Sequence, residues 1–535
     1  MSTECYPISV LPHVTRLYRD YVAMQENPVV ASWYGTNPTN DSWMRANSVV
    51  PAKSDELADA LRKQSIEFRA APQALANVEK LRNGARAVVT GQQVGLFGGP
   101  LLTLLKAATA IARAAEASRL TGVDHVPVFW LATEDHDLAE VDQLSLLTKT
   151  SVELIKANLK TAVPVPVGSV IPGQGITEAL DQASELLAWA PITEKLREFY
   201  RPESTLGGAF ARLLTYLFSA HGLIVMDAAG RDFHALGSPV LREAIERAEE
   251  LETALLARST ELERDGYHAQ VLVKPGASLL FLVDELTGER LALRRLGSDV
   301  WKAGGRSYSK YELLAILDAA PERISPNALL RPVFQDVILP TAAYIGGPAE
   351  IAYFAQSAVL YEKLLGRITP VLPRLSATLI EPAIGEVMAR HEVSLPDAMT
   401  TAEALAQRLG ARAMPIAGKR KIAAVGNALE VELKALTEYL SEMDESLGRS
   451  ATVSASKMRY QMNRLRRMAA TFELQKEASL RKHADAMTLN LYPDGHLQER
   501  LLGGVWFLAR SGDELIERLI QEAKNLCPGH VVVRL

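Results

Sequence analysis

Three carboxylates and an imidazole follow one another at Glu134-Asp135-His136-Asp137. The apolar residues 126–131 before them are typical of a buried strand, so the four side chains would lie at its carboxyl end, where open α/β sheets bind ligands. We therefore predict that Asp135, His136 and Asp137 are catalytic, as a general base or as the group that holds an amine. Glu134 is predicted to contact substrate. The alternative is a solvated acidic turn that caps the next helix. No metal site is predicted, because neither an HExxH pattern nor paired cysteines accompany the cluster.

A glycine-rich turn lies in VVTGQQVGLFGGP at residues 88–100, between another apolar run and a helix-forming segment. Glycines let the backbone approach a ligand, and a helix start presents free N–H groups and a positive dipole end. Pro100 fits a first helical position. The residues predicted to bind substrate or nucleotide here are Thr90, Gly91, Gln92, Gln93, Gly95, Gly98, Gly99 and Lys106. The alternatives are that Thr90 and the glutamines only close the turn and that Lys106 is solvated.

A second glycine turn, Gly346-Gly347-Pro348, follows a predicted strand at 337–345 and precedes a predicted helix at 349–365. Because it repeats the Gly-Gly-Pro of residues 98–100, we expect both turns to face one crevice. The alternative is that Gly-Gly-Pro only marks a helix start. Glu350 would be favoured by the helix dipole whether or not it binds anything.

Polar residues flank this second turn along the chain. Asn327, Arg331 and Gln335 have the four-residue spacing of one helix face, although Pro332 makes a regular helix uncertain there. Arg374 lies in an apolar, strand-like run, where a buried guanidinium needs an anionic partner. The further predicted binding residues are Asn327, Arg331, Tyr344, Gly346, Gly347, Arg374 and Ser376.

The elements that must position these residues alternate along the chain. Residues 55–83 predict a helix, 87–131 a strand–helix–strand unit, and 222–226 a further core strand. Strands joined by a helix of this length pair in parallel through a right-handed crossover. The sequence therefore predicts an α/β protein built on a parallel sheet.

Two stretches interrupt the predicted core. Residues 164–175 have the proline and glycine density of an insertion, and residues 231–265 predict a long charged helix. Turn signals then separate short predicted strands at 270–273, 279–283 and 290–293. We expect a small β-containing insert in this second stretch.

The C-terminal third carries two heptad stripes separated by a predicted break at residues 448–450. The first stripe consists of Leu429, Leu433, Leu436, Leu440, Met443 and Leu447, and the second of Met458, Met462, Leu465, Ala469 and Phe472. Two such helices form an antiparallel coiled-coil hairpin, which could pack on itself, on the core or against a second subunit.

The composition of the 535 residues is that of an ordinary globular protein, with 48% hydrophobic and 23% charged residues. The net charge of −5 gives no electrostatic footprint for nucleic acid or acidic membranes. Two cysteines exclude a disulfide framework, and neither a secretory signal nor a membrane-length apolar run is present, so we expect a cytoplasmic protein. P-loop, GxGxxG and GxSxG motifs are absent from the sequence.

Four segments together resemble the BshC family, the cysteine-adding enzymes of bacillithiol biosynthesis. They are VVTGQQVGLFGGP, VPVFWLATEDHD, LRPVFQDVILPTAAYIGGPAEI and VLPRLSATLIEP, in the family's order and at similar spacing. The resemblance spans nearly the whole chain and is carried most specifically by TGQQxGLxxGP together with WxxxEDHD.

This resemblance implies a Rossmann-type core like that of class I nucleotidyltransferases, two connecting inserts, and a C-terminal coiled coil that forms a homodimer. The expected boundaries are 1–150 for the first part of the core, 151–210 for the first insert, 211–230 for a core strand, 231–325 for the second insert, 326–390 for the last part of the core, 391–500 for the coiled coil and 501–535 for a segment that returns to the core.

The resemblance also implies the reaction, which adds L-cysteine to the amine of glucosaminyl malate as an amide. A free carboxylate must be activated first, and the class I route is attack on the α-phosphate of ATP, with Mg²⁺, to give cysteinyl-adenylate. The glycine turns would then hold the phosphates, Arg331 or Arg374 the malate or a phosphate, and the acidic cluster the cysteine ammonium or the proton of the sugar amine.

Two other functions fit the same residues. One is an adenylate-forming ligase or nucleotidyltransferase that acts on another amine. The other is a non-catalytic protein whose crevice senses a metabolite while the coiled coil recruits a partner. A substrate screen separates the first from the cysteine ligase, and binding without turnover would indicate the second.

Overall fold

The computed structural model of the chain describes residues 4–23, 27–35, 41–45, 53–525 and 527–535. These residues form two compact units. The larger unit comprises Met1–Thr148, Glu153–Thr378 and Glu499–Val533, and the smaller comprises Lys149–Val152, Leu379–Gln498 and Arg534–Leu535.

The strands of the described residues are β1 (Glu4–Tyr6), β2 (Arg86–Gln92), β3 (His125–Leu131), β4 (Gln143–Leu147), β5 (Val152–Lys156), β6 (Ile224–Asp227), β7 (Ala277–Val283), β8 (Arg290–Arg295), β9 (Val300–Ala303), β10 (Arg306–Ser309), β11 (Ile324–Pro326), β12 (Thr341–Gly346), β13 (Val371–Pro373), β14 (Ala377–Ile380) and β15 (His530–Arg534).

The α-helices of the same residues are α1 (Arg16–Val22), α2 (Pro28–Tyr34), α3 (Ser54–Glu67), α4 (Pro72–Arg82), α5 (Leu102–Thr121), α6 (Leu138–Val141), α7 (Gly175–Leu186), α8 (Pro191–Phe199), α9 (Leu206–Leu217), α10 (Arg231–Glu246), α11 (Ala248–Arg264), α12 (Lys310–Ala319), α13 (Arg331–Ile338), α14 (Pro348–Leu365), α15 (Pro382–His391), α16 (Leu395–Ala398), α17 (Ala402–Ala413), α18 (Ile416–Met443), α19 (Glu445–Lys476), α20 (Ala478–Leu491), α21 (Gln498–Leu501), α22 (Gly504–Ser511) and α23 (Glu514–Lys524).

The core of the larger unit is a five-stranded sheet in the order β13-β12-β2-β3-β6, and every neighbouring pair in it is parallel. The chain proceeds from β2 through β3 to β6 in one direction across the sheet, and from β12 to β13 in the other. The order therefore reverses between β2 and β12. Their carboxyl ends form the topological switch point, where open α/β sheets bind ligands. This architecture confirms the predicted parallel Rossmann-type core.

The two helices that follow the switch-point strands begin differently. Pro348 occupies the first turn of α14, as the Gly-Gly-Pro pattern predicts. Helix α5 instead begins at Leu102, and Pro100 forms an isolated bridge to Gly503, so the expectation that Pro100 opens this helix was wrong. Gly98 and Gly99 have φ of 91° and 69°, which only glycine adopts readily, and this backbone delays the helix.

Three predicted elements were wrong in their bounds. The strand expected at 337–345 begins only at Thr341, because α13 runs to Ile338 with Pro332 tolerated in its first turn. The helix at 55–83 and that at 231–265 are each two helices. Residues 270–273 form no strand. The insert nevertheless contains an antiparallel sheet, in the order β10-β9-β8-β7-β11.

The smaller unit contains an antiparallel hairpin of α18 and α19. Arg459 on α19 forms an ion pair with Glu430 on α18 at 2.8 Å, and Gly448 packs on Ser441 near the tip. The break between the helices is at Asp444, which caps α19 with its side chain. The predicted break at residues 448–450 was therefore wrong, since a tight contact rather than a turn explains Gly448.

The ends of the larger unit are joined to each other. β1 pairs antiparallel with β15, and Cys5 forms a disulfide with Cys527. Two cysteines excluded a disulfide framework, but the single disulfide that they can form was not foreseen. Over the described ranges, no helix combines the length and apolarity that a membrane span needs.

Candidate active site

A crevice of about 490 Å³ opens at the switch point of the parallel sheet. Its walls are the ends of β2 and β3, the start of α14, the first two turns of α5, and side chains from α13, β12 and α21. It is lined by Gly91, Gln92, Gln93, Pro100, Leu102, Lys106, Trp130, Ala132, Asp135, Glu140, Arg331, Tyr344, Gly347, Ala349, Glu350, Tyr353, Arg374 and Arg500. Residues from both glycine turns thus line one cavity.

An ion pair joins the two halves of the crevice. The Lys106 ammonium, on α5, lies 2.6 Å from a Glu350 carboxylate oxygen on α14. It also donates to the Gly91 carbonyl at 2.6 Å and to Gln92 Oε1 at 2.9 Å. Lys106 is 3% exposed, so the alternative of a solvated lysine is excluded.

Glu350 collects hydrogen bonds as well as the ion pair. It accepts from the Tyr344 hydroxyl at 2.6 Å and from the Gly347 N–H at 2.7 Å. Burial alone would raise the pKa of Glu350, but the Lys106 ammonium and these hydrogen bonds hold it below its usual value. Burial lowers the pKa of Lys106 against the attraction of Glu350. The pair forms the floor of the crevice. Glu350 therefore has a structural role in addition to its favourable interaction with the helix dipole.

Arg331 adds a second cation to the same wall. Its guanidinium donates to the Tyr353 hydroxyl at 2.9 Å and to Gln335 Oε1 at 3.3 Å, and it lies 5.5 Å from the Tyr344 ring centre. Within the described residues no carboxylate lies within ion-pair distance of it. A guanidinium held by hydroxyl and amide groups keeps its positive charge available to an anionic ligand.

Asp135 is the member of the acidic cluster that lines the crevice. One oxygen accepts from Gln93 Nε2 at 2.7 Å and the other from the His136 backbone N–H at 2.7 Å. These bonds orient a carboxylate that is 37% exposed on its side chain. It is therefore fixed in direction and accessible to a ligand.

The other three members of the cluster point elsewhere. His136 Nδ1 lies 3.2 Å from the Arg290 guanidinium on β8, and its ring packs near Phe281. Asp137 caps α6 by accepting from the Glu140 N–H. His136 and Asp137 therefore do not line the crevice, contrary to the expectation that they act beside Asp135.

Glu134 was also expected to contact substrate, but it binds a histidine. Its carboxylate lies 2.7 Å from His234 Nε2, on α10. Burial would lower the pKa of His234, but the Glu134 charge outweighs it and raises the pKa. Glu134 thus joins α10 to the end of β3 and does not line the crevice.

Of the binding residues predicted in the first glycine turn, Gly91, Gln92 and Gln93 line this cavity. The buried Thr90 hydroxyl donates to the Ile345 carbonyl at 2.9 Å and ties β2 to β12. The Gly98 N–H donates to the Tyr200 hydroxyl, and Gly99 shapes the turn. Thr90, Gly98 and Gly99 are therefore structural. Gly95 lies on an adjoining cavity.

The second turn and its flanks divide in the same way. Gly347 lines the crevice, and a Cβ there would lie 3.5 Å from Arg374 Nε, whereas Gly346 ends β12 and packs on Ile351. Asn327 precedes α13 and closes the turn before it, because its side chain accepts from the N–H groups of residues 329 and 330. Asn327 and Gly346 therefore do not reach the crevice, contrary to expectation.

Arg374 and Ser376 belong to a buried polar cluster. Arg374 forms an ion pair with Glu499 at 2.6 Å, and Ser376 bonds both Glu499 and His530. The anionic partner expected for Arg374 is thus largely supplied by the protein, although the side chain still lines the crevice. Ser376 does not. Burial lowers the pKa of His530 to about 4, so this cluster contains a neutral imidazole.

Among the lining residues with polar or aromatic side chains, five were not predicted as site residues: Trp130, Glu140, Glu350, Tyr353 and Arg500. Glu350 had a usable signal, because an acid three residues after the glycine matches a helix cap. Arg500 had none, since it enters from the C-terminal segment. No group of three or more His, Cys, Asp or Glu side chains in the described ranges is arranged to hold a metal ion.

A parallel α/β sheet with a polar crevice at its switch point, in a chain that also carries a helical hairpin, defines a Rossmann-like ligand-binding protein with a coiled-coil domain. Residues 1–375 match the family described as "Bacillithiol biosynthesis BshC, N-terminal Rossmann-like domain". Residues 377–535 match "Bacillithiol biosynthesis BshC, C-terminal coiled-coil domain". The chain belongs to the BshC family.

Curated relatives resemble the chain from end to end. One from Koribacter versatilis is 41% identical over 539 residues, and one from Solibacter usitatus is 35% identical over 538, each comparison covering all of both chains. A third, from Salinibacter ruber, is 32% identical over 546 residues, which cover 98% of this chain and 97% of the relative. Each is named "Putative cysteine ligase BshC". The chain is thus an enzyme of a family whose curated members are named as ligases.

Proposed function

We propose that this protein joins L-cysteine to the amine of glucosaminyl malate as an amide, the last step of bacillithiol biosynthesis. The observation that carries the proposal is that Asp135 shares one crevice with the Arg331 guanidinium, which forms no ion pair within the described residues. A carboxylate that can take a proton and cations that can hold anions are both needed when a carboxylate is activated and then attacked by an amine. The names of the relatives supply the identity of the amino acid.

ATP with Mg²⁺ is the proposed source of activation. The donors that fit a polyphosphate are the Arg331 guanidinium and the start of α14, which line the same crevice as the Gly91 backbone, whereas the Gly347 N–H donates to Glu350. In the first step, Asp135 offers a carboxylate to a phosphate-bound Mg²⁺, which typically needs only one or two from the protein. Lys106 is held by Glu350, so its part is to orient Gly91 and Gln92 rather than to reach a phosphate.

The proposed reaction has two balanced steps. The cysteine carboxylate attacks the α-phosphorus of ATP, which gives cysteinyl-adenylate and releases pyrophosphate. The sugar amine then attacks the acyl carbon, the amide C–N bond forms, AMP leaves, and one proton is lost from nitrogen. Asp135 is the proposed acceptor of that proton, because it is oriented by Gln93 and exposed to the crevice.

The test is to incubate the purified chain with L-cysteine, glucosaminyl malate, ATP and Mg²⁺ and to follow the products by mass spectrometry. Bacillithiol together with AMP is the expected result. Bacillithiol with ADP would keep the function and replace the adenylate by an acyl phosphate. Amide formation with another amine but not with glucosaminyl malate would contradict the proposed substrate.

We further propose that the chain acts as a cytoplasmic homodimer through the α18–α19 hairpin. Leu436, Met443, Leu465 and Phe472 are each more than half exposed in the single chain. These residues belong to the predicted heptad stripes, and exposed apolar stripes on long helices are typical of a helix–helix interface.

A further inference from the structure

A second cavity of about 230 Å³ adjoins the crevice. Gln92, Gln93, Pro100, Glu140 and Arg500 line both cavities, so the two are adjacent. The walls of the second cavity alone are Gly95, Val141, Gln143, Leu144, Ser145, Leu154 and Leu501. This space, which we call the side cavity, is small and partly apolar, and it shares one wall with the crevice.

Two opposite charges stand where the cavities meet, and neither is neutralised by the protein. Within the described residues, the Glu140 carboxylate and the Arg500 guanidinium have no hydrogen-bond partner and no ion pair within 4.0 Å. By contrast, Lys106 and Arg374 in the crevice form ion pairs with Glu350 and Glu499. The junction of the two cavities therefore carries an unpaired negative charge and an unpaired positive charge.

We propose that the side cavity binds the zwitterion of a small α-amino acid, with Glu140 holding its ammonium group and Arg500 its carboxylate. An α-amino acid carries both charges on adjacent atoms, and charge-assisted hydrogen bonds to a carboxylate and a guanidinium match them. Val141 and Leu144, which are buried, provide an apolar wall for a short side chain. This assignment rests on the proposed function, in which the amino acid is L-cysteine.

The placement also suits the chemistry. Arg500 lines the crevice as well as the side cavity, so a carboxylate held by it faces the proposed phosphate-binding region. The amine substrate can then approach from the crevice, where Asp135 lies. The side cavity would thus separate the two substrates before they react.

Binding to the full-length chain tests the proposal by calorimetry, with and without the α,β-methylene analogue of ATP. The ligands are L-cysteine, cysteamine, which lacks the carboxylate, and 3-mercaptopropionate, which lacks the amine. We expect L-cysteine to bind wild type at least about tenfold more tightly than either. Glu140→Gln should abolish the preference over 3-mercaptopropionate, and Arg500→Gln the preference over cysteamine. Glu153→Gln and Arg518→Gln, which replace charges outside both cavities, should keep both preferences.

Failure of this assignment is distinguishable from failure of the proposed function. Unchanged selectivity in both variants, or no L-cysteine binding to wild type in either condition, would overturn the side-cavity assignment. Amide formation with an unaltered KM for cysteine in both variants would overturn it while leaving the ligase function standing. If the chain formed no amide but showed the expected selectivity pattern, the amino-acid site would be supported. Only the proposed ligase function would then be contradicted.

Discussion

Lys106 and Glu350 form a buried ion pair that joins the helix after β2 to the helix after β12. These are the two strands between which the sheet order reverses, so the pair spans the switch point where the crevice opens. The bonds from Lys106 to Gly91 and from Glu350 to Gly347 fix the backbone on each side. The shape of the proposed phosphate site therefore depends on this one pair.

Breaking the pair on one side should destabilise the protein strongly. Lys106→Met leaves the Glu350 charge buried without its partner, and we expect a loss of about 3–5 kcal/mol in the free energy of unfolding. Urea unfolding measures this directly. The double variant Lys106→Met/Glu350→Gln should lose clearly less than the two single losses added together, because no isolated charge remains. Additive losses would show that the two residues do not act as a pair.

Asp135 should be essential for turnover and Asp137 should not. Asp135→Asn preserves the size of the side chain and one of its two accepted hydrogen bonds but cannot accept a proton, so we expect the rate of amide formation to fall by roughly 10²–10⁴. Asp137→Asn is the matched comparison two residues away, and asparagine also caps a helix well. A large loss in the Asp137 variant with a near-normal Asp135 variant would transfer the proposed base to Asp137.

His530 should make stability depend on pH. Its pKa in the folded chain is about 4, below its ordinary value of 6.5, so the unfolded chain binds the extra proton first as pH falls. The stabilisation is complete above about pH 6.5 and is lost progressively toward pH 4. Between pH 7 and pH 5, wild type should lose about 2 kcal/mol more unfolding free energy than His530→Gln. The measurement is urea unfolding of both proteins at pH 7 and pH 5. If wild type and His530→Gln lost the same unfolding free energy between these pH values, the prediction would be contradicted.

The hairpin should hold two chains together. Leu436→Glu combined with Leu465→Glu places charges on the exposed stripe, and desolvating them should disrupt a dimer. Sedimentation equilibrium should give twice the 58.4 kDa chain mass for wild type and the single mass for the variant. The paired change Glu432→Gln and Lys434→Gln, on exposed positions of the same helix, controls for surface alteration. A monomeric wild type would contradict the proposed dimer.

The parallel core could be predicted because its strands are short apolar runs punctuated by glycine, as at residues 88–100. Errors arose where local rules were overridden. Pro332 suggested a break, but a first helical turn accepts proline. Gly448 suggested a turn, but it packs on Ser441 inside α19. In both cases the residue type suggested a break in the helix, whereas its position in the folded chain is compatible with the helix.

The site was harder to predict than the fold. Asp135, His136 and Asp137 are neighbours in sequence, yet their side chains diverge, because Asp137 caps α6 and His136 turns toward Arg290. Ser376 was expected to bind a ligand, but its hydroxyl is hydrogen-bonded to Glu499 and His530. Arg500 comes from a segment whose sequence has no motif, so only the folded chain places it in the crevice.

In the proposed reaction, the cysteine carboxylate is activated in the crevice as an adenylate, and the cysteinyl group is then transferred to an amine. The most direct measurement is the mass of the AMP formed when L-cysteine labelled with ¹⁸O in both carboxylate oxygens reacts with ATP and glucosaminyl malate in the presence of the protein. We expect one ¹⁸O atom in each AMP, with AMP and bacillithiol formed in equal amounts. AMP without label, or label in inorganic phosphate, would contradict the adenylate, and the absence of bacillithiol would contradict the ligase itself.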